Sequence, residues 1–119
     1  MKIDYVQKII ECCQKRESIL LHDGSMREYN RYHDKIRKCA RALIDENRES
    51  ELLPYLNDDN LFIRYDIAGV LYNSYPEQCT KVWEEISEMT ISTGLPRHLV
   101  IISLSAQGNL EYGVPKDYP

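Results

Sequence analysis

Residues 50–88 read SELLPYLNDDNLFIRYDIAGVLYNSYPEQCTKVWEEISE. Apolar spacing divides the stretch into a helix, a tight acidic turn, a second helix, a proline-marked turn and the start of a third helix. Ser50 is the expected N-cap of the first, with Glu51 in the first turn, where the helix dipole favours negative charge. Leu52, Leu53 and Leu56 give that helix a short apolar face, and Pro54 is expected in its first turn, where a missing N–H costs little. Asn57-Asp58-Asp59-Asn60 is made of residues whose side chains bond local backbone, so Asp58 or Asp59 is the expected cap of the second helix. Ile63, Ile67, Val70, Leu71 and Ser74 recur there at helical spacing. Tyr75-Pro76 ends it, because the residue before proline is pushed out of the α region. Pro76 then suits the first turn of a helix with the face Cys79, Val82, Trp83, Ile86 and Met89.

Two short helices joined by four residues form a hairpin that cannot bury its apolar surface alone and needs neighbours. The pattern LLPYLNDDNLFIRYDIAGVL resembles a HEAT-type repeat, carried by Leu53, Pro54, Leu56, Asp58, Ile63, Arg64, Ala68 and Leu71. The resemblance implies that Arg64 reaches back to Asp58 or to turn carbonyls as a structural clamp. A second register, 33 residues on, sets Arg64 over Arg97, Ala68 over Ile101 and Leu71 over Leu104. The resulting expectation is an all-α fold: a HEAT-like α-α superhelix, or short solenoid, of about six helices in three hairpins.

At 119 residues the chain is expected to form one domain, 1–119, burying roughly 65% of its unfolded surface. Hydrophobic residues at 43% and charged residues at 29% place it among ordinary globular chains rather than disordered ones. Cys12, Cys13, Cys39 and Cys79 include no CxxC pair and fall mostly on apolar faces, so reduced, buried thiols are expected. Asp4, Lys8 and Glu11 interrupt any signal-peptide apolar region, and no apolar run approaches the ~20 residues that span a bilayer. A cytoplasmic location without membrane attachment is therefore expected. Charge is uneven: residues 1–44 carry +4, residues 45–66 carry −5 and residues 67–119 carry −3. The acidic part disfavours nucleic acid, whose phosphates need cationic contacts, and favours a basic protein partner.

The first helix is expected over Ile3 to Leu21, ending in a His22-Asp23-Gly24 turn with Gly24 in the left-handed position. Ser25 and Glu28 suit a capping box for a second helix over Met26 to Glu46, with the stripe Met26, Tyr29, His33, Ile36, Ala40 and Leu43. Its other face holds Arg27, Arg31, Lys35, Lys38 and Arg41. It suits either a nucleic-acid stripe or, as favoured here, a solvated face aided by pairs such as Asp34 with Lys38. The fifth helix is expected over Glu77 to Ile91, and the sixth, built on LVIISL, over Pro96 to Gln107 with Gly108 as its stop. Residues 109–119 are expected to be an irregular tail whose Leu110, Tyr112 and Val114 pack back.

The whole order, with Tyr29, Asn30 and Tyr32 on the second helix and NDDNLFIR at the hairpin, resembles a small family of HEAT-like bacterial proteins. These are similar to toxin-immunity proteins and often appear as partners of secreted bacterial toxins. Ala106-Gln107-Gly108 departs from that family, where a tryptophan before the glycine is common.

No HExxH, nucleophile elbow or glycine-rich phosphate loop occurs, so no catalytic residue, metal ligand or cofactor is assigned. A deep pocket joining His33 or His98 to two carboxylates would favour an enzyme. Nine tyrosines against one phenylalanine suit an interface, because tyrosine gives large contact area with few rotors. The expected partner-binding residues are Tyr65, Asp66, Tyr72, Asn73, Glu84, Glu85 and Glu88. The expected function is non-enzymatic protein binding, as an immunity-type inhibitor neutralising a basic toxin domain. The alternative is a scaffold or regulatory adaptor that takes a peptide in a helix groove.

Overall fold

The computed structural model describes residues 4–114, so the expected helical start at Ile3 and the expected tail beyond Val114 lie outside the described residues. Helix α1 spans Tyr5–Leu21, and Asp4 caps it by accepting the Gln7 N–H at 3.0 Å. Helix α2 spans Met26–Asp45, and Ser25 Oγ accepts the N–H groups of Arg27 and Glu28. In the connection between them the left-handed residue is Asp23 (φ 53°), not Gly24. A short polar side chain tolerates that conformation. Gly24 sits in a tight space instead, since a Cβ there would meet Ile19 Cγ2 at 3.0 Å and that side chain would have to shift.

Residues Glu49–Asn57 wind as a 3-10 helix rather than an α-turn capped by Ser50. Pro54 lies well inside this segment instead of in its first turn, and proline cannot supply the N–H of an α-helical ladder. Leu52 and Leu56 still reach the core. Helix α3 (Leu61–Leu71) is capped by Asn60, whose Oδ1 accepts the Ile63 N–H at 2.9 Å. Asp58 acts one step earlier, accepting the Asn60 N–H at 2.8 Å, so neither aspartate is the cap. Phe62, Ile63, Asp66, Ile67, Ala68, Val70 and Leu71 are all buried, which leaves α3 covered around most of its circumference. Ser74 lies past its end, exposed in the turn.

Helix α4 runs Pro76–Ser87, stopping short of the expected Ile91. Two short 3-10 turns, Ile91–Thr93 and Arg97–Leu99, lead into α5, Val100–Tyr112. LVIISL is therefore helical, as expected, but Gly108 is not a stop. It sits inside α5, and Gly113 with φ 73° follows the true end. Leu110 and Tyr112 belong to the helix and stay exposed, whereas Val114 packs on the core. Ser103 Oγ donates to the Met89 carbonyl at 3.0 Å and Gln107 Nε2 to the Ser87 carbonyl at 3.1 Å. These bonds satisfy acceptors that the end of α4 leaves free.

Helix α1 packs on α2, α4 packs on α5, and α3 sits between, touching α1, α4 and the 3-10 segment. The body measures 45 × 31 × 24 Å, and the described residues are helical with no strand. No described helix is long and apolar enough to cross a membrane. The 33-residue register fails at the level of burial: Ala68 and Leu71 are buried, whereas Ile101 and Leu104 are exposed. A shift of 35 residues instead sets buried Ile67, Ala68 and Leu71 over buried Ile102, Ser103 and Ala106.

Candidate functional site

Four helices converge on a polar cavity of about 210 Å³. Arg16 comes from α1, His33 from α2, Tyr65 and Asp66 from α3, and Asn109 from α5, with Gly113 and Val114 at one edge. The Asp66 carboxylate accepts a hydrogen bond and ion pair from the Arg16 guanidinium, and each residue is only 6% exposed. That guanidinium lies 4.1 Å from the Tyr29 ring centroid and 5.4 Å from that of Phe62, in cation–π range of both. Arg16 Nε and Asp66 Oδ2 are buried with no hydrogen-bond partner among the described residues. The Tyr65 hydroxyl shares hydrogen bonds with the side chains of Ser105 and Asn109, tying α3 to α5.

Asp66 is therefore buried rather than exposed on the surface, and Tyr65 is half-buried beside it. The negative charge of Asp66 on α3 is neutralised by the positive charge of Arg16 on α1, and both side chains are almost fully buried. The Cys13 thiol is pushed well up, first by burial and then by the Asp66 carboxylate against it. Burial also pushes Cys79 up to about 12, and raises Cys12 and Cys39. All four thiols are thus held protonated, the opposite of what an activated nucleophile needs. His33 shares the cavity with one carboxylate, Asp66, and His98 pairs with one, Glu17, at 3.2 Å. Neither histidine joins two carboxylates among these contacts. Among the described residues no group of three or more His, Cys, Asp or Glu side chains is placed to hold a metal ion.

The remaining expected residues lie elsewhere. Tyr72 is half-buried and stacks on Trp83 with centroids 4.9 Å apart and planes at 24°. Asn73 is exposed in the turn after α3. Glu84 and Glu85 are exposed on α4 together with Glu77, and Glu88 is exposed at the cap that ends it. Arg64 serves as a clamp, but through the Leu56 carbonyl (Nε to O 3.0 Å) and Glu85 (2.5 Å) rather than Asp58. The seven expected contact residues therefore divide between a buried polar cavity (Tyr65, Asp66), an aromatic stack (Tyr72), an exposed turn (Asn73) and the acidic face and C-cap of α4 (Glu84, Glu85, Glu88).

No protein-family model, no curated protein and no solved structure matches the chain.

Arg16 is the charged cavity residue that the expected binding residues did not include. Its position was a usable signal, since it continues the buried α1 stripe of Ile9 and Cys13 at spacings of four and three. An arginine on such a stripe requires a counter-ion.

The cavity also sets a pH response. Burial first, and then the Arg16 guanidinium, hold His33 below its ordinary 6.5, against the opposing pull of Asp66. The unfolded chain then binds this proton more readily than the folded one, so protonation favours unfolding. Stability should hold above about pH 6.5 and fall as pH drops below it. Thermal melts from pH 8 to 5 should show a shallower decline for His33→Gln than for the parent. Parallel declines would contradict the assignment.

Proposed function

We propose that this chain is a non-enzymatic protein-binding module of HEAT-like superhelical type. In this proposal it acts in the cytoplasm as an immunity-type inhibitor that neutralises a basic bacterial toxin domain. The observation that carries the proposal is the outer face of α4. Glu77, Glu84 and Glu85 are exposed along the 12-residue helix α4 and Glu88 is exposed at its C-cap, with Lys81 the cation among them. Glu85 is partly compensated by Arg64, whereas Glu84 and Glu88, one turn apart, have no ion-pair partner among the described residues. Such a face steers a basic partner and can occlude a phosphate-binding cleft by presenting carboxylates where phosphates would sit. The four protonated thiols also favour binding over catalysis.

The test is capture of partners on the tagged chain from native lysate at low salt, followed by elution at high salt. A basic protein that elutes with salt, and whose toxicity on expression is relieved by this chain, is the expected result. Glu84→Lys with Glu88→Lys should then slow association about tenfold while leaving the melting temperature unchanged. Capture of no basic protein, or unchanged association, would overturn the proposal. Asp66 does not belong in this test, because its charge is part of the core.

One observation favours the adaptor alternative. The outer face of α5 exposes Ile101, Leu104 at 60% and Tyr112 at 82%, an apolar strip on an otherwise charged protein. A partner retained at high salt and released by Leu104→Glu would point there.

A further inference from the structure

A groove of about 460 Å³ runs between α1 and α2, on a different face from the acidic helix α4. Its floor is formed by Cys12, Cys39 and Tyr32. Lys8 and Lys15 stand on the α1 bank and Lys35 and Lys38 on the α2 bank, with Glu11 the one acid lining it. Glu11 accepts a hydrogen bond from Gln7 Nε2 at 3.2 Å. None of the four ammonium groups is in an ion pair among the described residues, and the Asp34–Lys38 pair expected on α2 is not formed. Lys35 Nζ instead lies 5.0 Å from the Tyr32 ring centroid. Burial raises both floor thiols, with Cys39 adding to the effect on Cys12, so the floor is uncharged at neutral pH.

We propose that this groove docks an acidic amphipathic helix of a partner protein. The positions on α1 (Lys8, Cys12, Lys15) follow i, i+4, i+7, and those on α2 (Tyr32, Lys35, Cys39) follow i, i+3, i+7. Each row therefore runs along one helix face for two turns, about 10 Å. Two packed helices with a neutral strip between them present the seat for a third, whose apolar stripe covers the floor. Lysines on both banks select carboxylates on both edges of that stripe, and their aliphatic stems extend the apolar contact. Nucleic acid fits less well. Its phosphates would engage the banks but leave the thiol floor uncovered, and the groove holds one aromatic ring for stacking and no arginine fork. The inference does not depend on the α4 face, which has the opposite charge.

The probe is a fluorescein-labelled synthetic helix of about 18 residues with a leucine stripe flanked by glutamates, titrated with the full chain at low salt. The comparison ligands are the same peptide with lysine for glutamate and a single-stranded oligonucleotide. The glutamate peptide should bind, and its affinity should fall at least tenfold in Lys8→Glu with Lys38→Glu, both exposed sites. The lysine peptide should bind that double variant better than the parent. Cys39→Phe, which fills the floor without changing charge, should also weaken the glutamate peptide. Absence of binding, binding insensitive to the charge reversal, or tighter binding of the oligonucleotide would each overturn the proposal. Circular dichroism of each variant separates lost docking from lost folding.

Discussion

Replacing Asp66 with alanine should cost about 3–5 kcal/mol, because it leaves the Arg16 guanidinium buried without its counter-ion. A chain of this length has a total stability of roughly 6–18 kcal/mol, so the loss removes a large part of it. The melting temperature should fall by more than 10 °C. Arg16 is 6% exposed and is held over Tyr29 and Phe62, so little of its charge is solvated by bulk water. The paired change Arg16→Met with Asp66→Leu should recover most of the loss, since removing both charges removes the desolvation cost as well. Chemical denaturation of the two variants checks this. A single variant as stable as the parent would mean that the pair is solvated, and a double variant no better than the single would mean that packing dominates. The same burial affects Tyr29, whose hydroxyl desolvation pushes up to about 12. Tyr29 therefore stays neutral beside the ion pair at neutral pH.

Trp83→Ala should be comparably severe, at about 3–5 kcal/mol, through the cavity it opens. Trp83 is fully buried on α4, and one face of its indole carries the Tyr72 ring. Its Nε1 is buried with no hydrogen-bond partner among the described residues. Trp83→Phe keeps an aromatic ring for Tyr72 and removes that unpaired N–H, so it should cost less than about 1.5 kcal/mol. Urea unfolding monitored by circular dichroism separates the two cases. Equal losses would show that the full indole volume, rather than the aromatic stack, supports this part of the core. Tyr72→Ala would then register first as lost stability, which makes Tyr72 an unsuitable probe of partner binding.

Helix positions were readable because the apolar stripes are long. On α2, Tyr29, Ile36, Ala40 and Leu43 are buried as their spacing requires, and His33 sits at the boundary. Ends were less readable, because they depend on single side-chain bonds. Asn60 rather than Asp58 or Asp59 caps α3, since its Oδ1 reaches the Ile63 N–H. Gly108 suggested a stop, yet α5 continues through it to Tyr112 and places Asn109 beside Tyr65. The site was less readable still. Asp66 stands three residues after Ile63 and four before Val70, on the inward stripe of α3, while an aspartate taken alone suggests a surface. Spacing shows that Arg16 and Asp66 each occupy a buried row. It does not show that the rows meet, because the partners are 50 residues apart in the chain. The acidic face of α4 needed no such meeting, and its glutamates were legible from one helix alone.

That separation of 50 residues also sets an order of events during synthesis. The α1–α2 hairpin precedes α3 in the chain, and without α3 the Arg16 guanidinium lacks the Asp66 carboxylate with which it pairs. Only when α3 is present does the guanidinium find Asp66, and α3 then packs on α1, the helix that carries the buried Ile9 and Cys13. The nascent hairpin is thus a waiting half-core rather than a finished unit, and α3 is the element whose arrival commits the chain to its fold.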